Sequence, residues 1–235
     1  MGQQRLMRRF ARWHIWLGWL VGLPIVMWTV SGLVMIIQPI ESVRGSDRRL
    51  ELPPVAADGL VLPQLTGPVR SVTLQNFVDG AGWIVVEDDG GRYRYSASDG
   101  SLYNPVGETA AREIAQATFT GDAALEGMTY FPADEVPRDF RNPVNVWQAR
   151  FADDTNLYIN AQTGEVQAVR TGWWRIYDFF WGLHIMDLET RDLEGQAPFN
   201  HWVLVVFAAL SVAGSLIGCT LMFRRRKAKL AVTGP

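Results

Sequence analysis

The sequence predicts an α+β protein in which two transmembrane helices flank an antiparallel sheet-plus-helix domain held outside the cytoplasm. Three observations carry this. Trp13–Ile37 and His201–Phe223 are apolar runs without a single Asp, Glu, Lys or Arg. At 1.5 Å per residue, each is long enough to cross a hydrocarbon core of ~30 Å. Charge is sorted by position: Arg5, Arg8, Arg9 and Arg12 precede the first run, and Arg224, Arg225, Arg226, Lys227 and Lys229 follow the second. All 24 acidic residues lie between the runs with 13 basic ones, so the middle carries a net −11. Short basic flanks stay cytoplasmic, which places both chain ends inside and the middle outside. Within that middle, β-branched and aromatic stretches alternate with Asp/Gly turns, the pattern of antiparallel strands.

In chain order, residues 1–12 form a cytoplasmic basic tail and 13–37 the first transmembrane helix. Gly18, Gly22, Pro24 and Gly32 are tolerated there because neighbouring helices re-satisfy the backbone. The run is too long for a cleaved secretory signal, and no small-residue cleavage site follows Ile37. Residues 38–62, charged and then opening on Pro53-Pro54, are expected as a linker. Residues 63–172 form the outer domain, 173–200 an aromatic interfacial segment and loop, 201–223 the second helix and 224–235 a second basic tail. The one cysteine, Cys219, lies in the second helix, so the outer domain rests on its own core without a disulfide.

Strands are expected at Val69–Phe77, Gly82–Glu87 and Arg92–Ala97, then Leu125–Phe131, Val144–Phe151, Asn156–Asn160 and Glu165–Arg170. Between the two groups, Ala111, Ile114, Ala115, Thr118 and Phe119 recur at helical spacing, which predicts a helix over Glu108–Phe119. A short internal repeat aligns Ser96–Leu102 with Asn160–Val166, each a strand, a turn with Gly at the positive-φ position, and a second strand. D-G and T-G turns recur in any β-rich domain, so duplication and coincidence are both open at this point.

The second group, a helix followed by four strands closing on Leu157-Tyr158-Ile159-Asn160-Ala161-Gln162-Thr163-Gly164-Glu165-Val166, resembles the PepSY domain. The resemblance widens at the membrane segments. The run from Arg8 through His14 and Leu17-Gly18 to Ser31-Gly32, then Leu183-His184-Ile185-Met186-Asp187 and Phe199-Asn200-His201, is similar to the PepSY-associated transmembrane family across nearly the whole chain. Some members of that family bind haem and reduce ferric siderophores at the periplasmic face of the bacterial inner membrane. The resemblance therefore implies b-type haem, electron transfer toward a periplasmic acceptor, and His14, His184 and His201 as ligands.

The residues permit this and permit less. The three histidines are the only ones in the chain and all lie in or beside the apolar runs. Ionisable side chains there are costly and are functional candidates by default, and imidazole pairs build electron-transfer cytochromes. Antiparallel helices put His14 and His201 ~30 Å apart in depth, too far to share an iron, whereas His184 and His201 both belong to the outer face. His14 would need a partner from a second copy, so a homodimer or another membrane redox partner is expected. Arg175 and Arg191 are candidates for haem propionates. The plainer alternatives are an interfacial His14 beside Trp13 and Trp16, a membrane-surface role for Arg175 and Arg191, and glycines that only allow close helix packing. Residues 173–183 would then simply lie on the bilayer. No G-x-S-x-G, H-E-x-x-H, C-x-x-C or dinucleotide motif is present, and an acidic outer domain argues against nucleic acid. The competing class is a non-enzymatic anchored module whose outer domain binds or restrains a periplasmic partner.

Overall fold

The computed structural model describes residues 2–188 and 198–232. They separate into two compact units: residues 1–37 with 177–235, and residues 38–176.

The first unit is helical. Helix α1 runs Gly2–Ile36 and α5 runs Pro198–Val232, each 35 residues. Within them, Gln4–Ile36 and His201–Met222 are long and apolar enough to cross a membrane. Their surfaces exclude a soluble core helix: Trp19 is 81% exposed, Leu23 78% and Trp202 65%. Apolar side chains presented all round a helix belong in lipid. The chain is a membrane protein with two candidate spans. Pro24 sits inside α1 without ending it.

The second unit is the sheet domain. Residues 40–62, expected as linker, are more ordered than their composition implies. Helix α2 (Ile40–Arg44) ends on Gly45 at φ 69°, and a 3-10 turn covers Ser46–Arg48. Gly45 packs so closely on Val169 that a Cβ there would stand 2.7 Å from it, and the positive φ adds strain, so only glycine fits. The chain is then pinned by an antiparallel bridge from Arg49 to Phe119 and by Asn76 Nδ2 donating to the Pro53 carbonyl.

Two antiparallel sheets follow. The first has the order β1 (Val69–Phe77), β2 (Gly80–Glu87), β3 (Arg92–Ser96). The second has the order β4 (Leu125–Phe131), β5 (Val146–Phe151), β6 (Asn156–Asn160), β7 (Val166–Arg170). Helix α3 (Glu108–Thr118) buries Ala111, Ile114, Ala115 and Thr118, the stripe its spacing predicts. With Phe119 they cover Ala149, Phe151, Leu157 and Ile159, and Phe119 stacks on Phe151 at 3.9 Å. The opposite face of that sheet is closed by Phe140 stacked on Tyr158.

The two sheets repeat one unit. In the first, Ser96 N–H donates to the Ser101 carbonyl and Gly100 N–H to that of Ser96; in the second, Asn160 and Glu165, and Gly164 and Asn160, do the same. Gly100 and Gly164 have φ of 75° and 73°. The Trp83 indole donates to the Val61 carbonyl while Val61 N–H reaches Ala97; Trp147, Val106 and Ala161 repeat that triangle. Both first strands shift register one step in, at Val69/Ser71 and at Leu125/Gly127. So many shared bonds at matching places make the repeat structural rather than a coincidence of turn residues. The copies differ by deletion: α3 intervenes between Val106 and β4, whereas only Leu62–Pro68 separates Val61 from β1.

Glu165 joins the copies. Its carboxylate accepts from Nε and Nη2 of Arg92, each at 2.7 Å, and from Gln75 Nε2 at 2.9 Å, so the turn of one sheet is held by two strands of the other. Burial by itself would raise the Glu165 carboxyl; the hydrogen bonds from Arg92 and Gln75, with the Arg92 charge, outweigh it and hold the group below its ordinary value of 4.5. A depressed carboxylate stabilises the fold fully above its unfolded-state pKa, and loses that contribution as pH falls through the folded-state value.

Glu165→Gln should therefore cost about 1–2 kcal/mol at neutral pH, below the fully buried limit because Arg92 is 42% exposed. The gap from the parent should narrow below about pH 4, read from thermal unfolding in detergent across pH. Trp147→Phe should cost about 1–2 kcal/mol and Trp83→Phe about 0.5–1 by the same assay, since the first indole bond is part-buried and the second exposed.

Candidate functional site

Two of the three histidines make hydrogen bonds within the helical unit. His14 is half-buried and its Nδ1 lies 3.1 Å from the Gly214 carbonyl. A carbonyl can only accept, so Nδ1 carries the proton. The ring is seated on α5: a Cβ at Gly218 would stand 2.7 Å from its Cε1, and one at Gly214 would touch Leu17 at 3.7 Å. Of the two small-residue pairs, Gly214 and Gly218 thus carry the helix packing. Gly18 and Gly22 meet nothing within 4 Å.

That seat sets the register. His14 faces Gly214 and Gly218, and Leu17 faces Gly214, so the numbers of facing residues sum to 228–232 and the helices run antiparallel. Carried along α5, the same register brings His201 level with residues 27–31 of α1. His14 and His201 are then separated by the 13 to 17 residues from His201 to Gly214 or Gly218, or ~20–26 Å. This is shorter than the expected ~30 Å, because His14 packs against α5 well before that helix ends, but still too far for a shared ligand.

His184 is the last residue of helix α4 (Gly172–His184). The helix closes there by Asp187 N–H donating to the Gly182 carbonyl, with Met186 in the left-handed region at φ 55°. That cap turns the His184 ring to α1, where Nδ1 lies 2.9 Å from Ser31 Oγ. Ser31 is fully buried and its hydroxyl also lies 3.1 Å from the Trp28 carbonyl. His184 therefore meets α1 at the level that the register assigns to His201. His201 itself is exposed in the first turns of α5, with its ring edge-on to Trp202 at 5.9 Å.

Three features of this layer bear on a ligand. Nε2 of His184 makes no hydrogen bond among the described residues. The buried Trp28 Nε1 has no acceptor among the described residues, although it lies one turn from Ser31; buried donors are ordinarily paired with protein, water or a ligand. The His184 ring packs on Gly32, where an added Cβ would stand 3.6 Å from Cε1, an ordinary contact. Among the described residues no three His, Cys, Asp or Glu side chains converge on an ion. A haem takes at most two imidazoles, and the two that share a level here are His184 and His201.

Arg175 belongs to the sheet domain, where Nη1 donates to the Asp154 carbonyl and Nη2 lies 3.7 Å from Asp139. Arg191 lies outside the described residues. The partner that sequence reasoning passed over is Ser31: it appeared only as part of a Ser-Gly pair, and its contact with His184 spans 153 positions.

Two apolar spans, a repeated sheet unit between them and a histidine layer at one end define a membrane-anchored sheet protein with a polar site among its helices. The PepSY-associated TM region matches residues 11–234, and the chain belongs to that family. No curated protein and no solved structure matches it.

Gly218→Ala should unseat the His14 ring and lower thermal stability in detergent by about 1–3 kcal/mol, the range for overpacking a close contact. Gly18→Ala should be neutral or slightly stabilising, because a Cβ there meets open space and alanine favours the helix.

Proposed function

We propose that this chain is a bacterial inner-membrane protein that binds b-type haem between His184 and His201 and passes electrons toward a periplasmic acceptor such as a ferric siderophore. The observation that carries the reading is the shared level of the two histidines: His184 meets α1 at Ser31, and the α1–α5 register brings His201 to residues 27–31. Basic residues at both ends and the net −11 between them support a two-pass orientation with cytoplasmic termini and the sheet domain in the periplasm.

A haem held by two neutral imidazoles supplies one-electron chemistry at its iron. This chain's residues supply the rest. His184 offers Nε2 from a helix end that is capped and hydrogen-bonded, and His201 offers its exposed ring from the start of α5. The Trp28 N–H is a donor for a carboxylate at the same level. The apolar flanks of α1 and α5 keep the layer in a low dielectric, which strengthens such a contact. At the inner level, the His14 ring is committed to α5. A ligand role there requires a second copy to bring its own ring, and the open Gly18–Gly22 face is where such a copy has room.

The test is a dithionite-reduced minus oxidised visible spectrum of the detergent-purified protein expressed with ample haem. Sharp low-spin α and Soret bands, lost in His184→Ala and in His201→Ala but kept in Gly18→Ala, are the expected result. A featureless spectrum would sink the haem reading and turn attention to proteins bound by the sheet domain.

A further inference from the structure

Ser31 has one proton and two neighbours. The Trp28 carbonyl at 3.1 Å can only accept, whereas His184 Nδ1 at 2.9 Å can donate or accept according to its tautomer. If the hydroxyl proton goes to Trp28, the Ser31 oxygen faces His184 with lone pairs, and Nδ1 must carry the proton it donates. Two hydrogen bonds are then made. If instead the hydroxyl donates to Nδ1, the Trp28 contact lapses. The imidazole proton then sits on Nε2, which has no acceptor among the described residues. One hydrogen bond is made where two were available, which is the costlier arrangement.

We infer that Ser31 is a positioning residue: its buried hydroxyl holds His184 as the Nδ1–H tautomer and so presents the Nε2 lone pair to a metal centre. The inference rests on the haem reading for the identity of that metal, though not for the tautomer itself. Metal-bound histidines characteristically give their other ring N–H to an oxygen acceptor, which fixes ring orientation and raises ligand basicity; losing that acceptor costs about 10–100-fold in affinity or activity. Here the acceptor is a serine on a different helix, so α1 orients a ligand that α4 carries. His14 shows the same arrangement with a backbone acceptor, its Nδ1–H spent on the Gly214 carbonyl.

The experiment uses full-length protein labelled with 15N and 13C in histidine, first without haem. The chain has only three histidines, so His184→Ala assigns the His184 signal by difference. The parent should show His184 with a protonated Nδ1 and an unprotonated Nε2. Ser31→Ala should move it toward the Nε2–H form, while Ser31→Thr, which keeps a hydroxyl, should retain the parent pattern. Circular dichroism and gel filtration establish that each variant is folded. With haem added, Ser31→Ala should release it about tenfold more readily than the parent or Ser31→Thr. A parent His184 already protonated on Nε2, or a Ser31→Ala protein still protonated on Nδ1, would overturn the inference. If the serine-dependent tautomer is found and the parent takes up no haem, the assignment of Ser31 stands and the haem reading alone fails.

Discussion

The seat of the His14 ring on Gly218 is the contact from which the geometry of the helical unit follows. Two apolar helices in lipid gain little from hydrophobicity, because the solvent is as apolar as their side chains. What holds them in one register is close approach and a polar bond. Gly214 and Gly218 supply the approach, and the Nδ1–H of His14 supplies the bond to the Gly214 carbonyl. Once that register is set, the depth of every other group is set with it. Trp28, Ser31 and, through Ser31, His184 fall at the level of His201. A histidine near one end of the spans thus determines how the polar groups near the other end are assembled.

The sheet domain solves a different problem. A small domain without a disulfide has to hold two separate sheets together, and it does so largely at one turn. Thr163-Gly164-Glu165 belongs to the second copy of the repeat, yet its carboxylate is bonded to Arg92 and Gln75 of the first. Arg94 lies beside the same turn, its Nη1 3.5 Å from where a Cβ on Gly164 would stand. It is 2% exposed, stacks on Phe77 at 3.6 Å and on Tyr103 at 4.0 Å, and pairs with Asp79 at 2.5 Å. The equivalent position in the second copy is Tyr158, likewise stacked on a phenylalanine and bonded to Asp139. The same socket therefore takes a cation in one copy and a phenol in the other, each neutralised or satisfied by an aspartate from the connection between the first two strands of its sheet.

Much of this was legible in the residues, and the limits have physical causes. The strands Val69–Phe77, Leu125–Phe131 and Asn156–Asn160 were read to their ends, because alternation and Asp/Gly turns are local signals. Helix α3 was read because its buried stripe recurs at 3.6 residues. The short helix at Ile40–Arg44 was not: five residues carry too little periodicity, and its stop depends on Gly45 meeting Val169, a contact across the domain. In the site, the histidines stood out by residue type alone, but their partners did not. Nothing in a helical wheel says which glycines face a neighbour, so the Gly18 and Gly214 pairs looked equivalent. Ser31 and Arg175 show the same limit from opposite sides, one recruited to a histidine and the other committed to Asp154 and Asp139.

The length of α1 has a mechanical consequence. Its 35 residues span ~52 Å, well beyond the ~30 Å of hydrocarbon, and the surplus lies at the arginine end. Arg5, Arg8, Arg9 and Arg12 are all exposed and recur at the spacing of a single helix face. That face is an electrostatic collar against anionic headgroups. Sliding α1 toward its other end would drag four guanidinium groups into hydrocarbon, so the collar opposes movement in that direction.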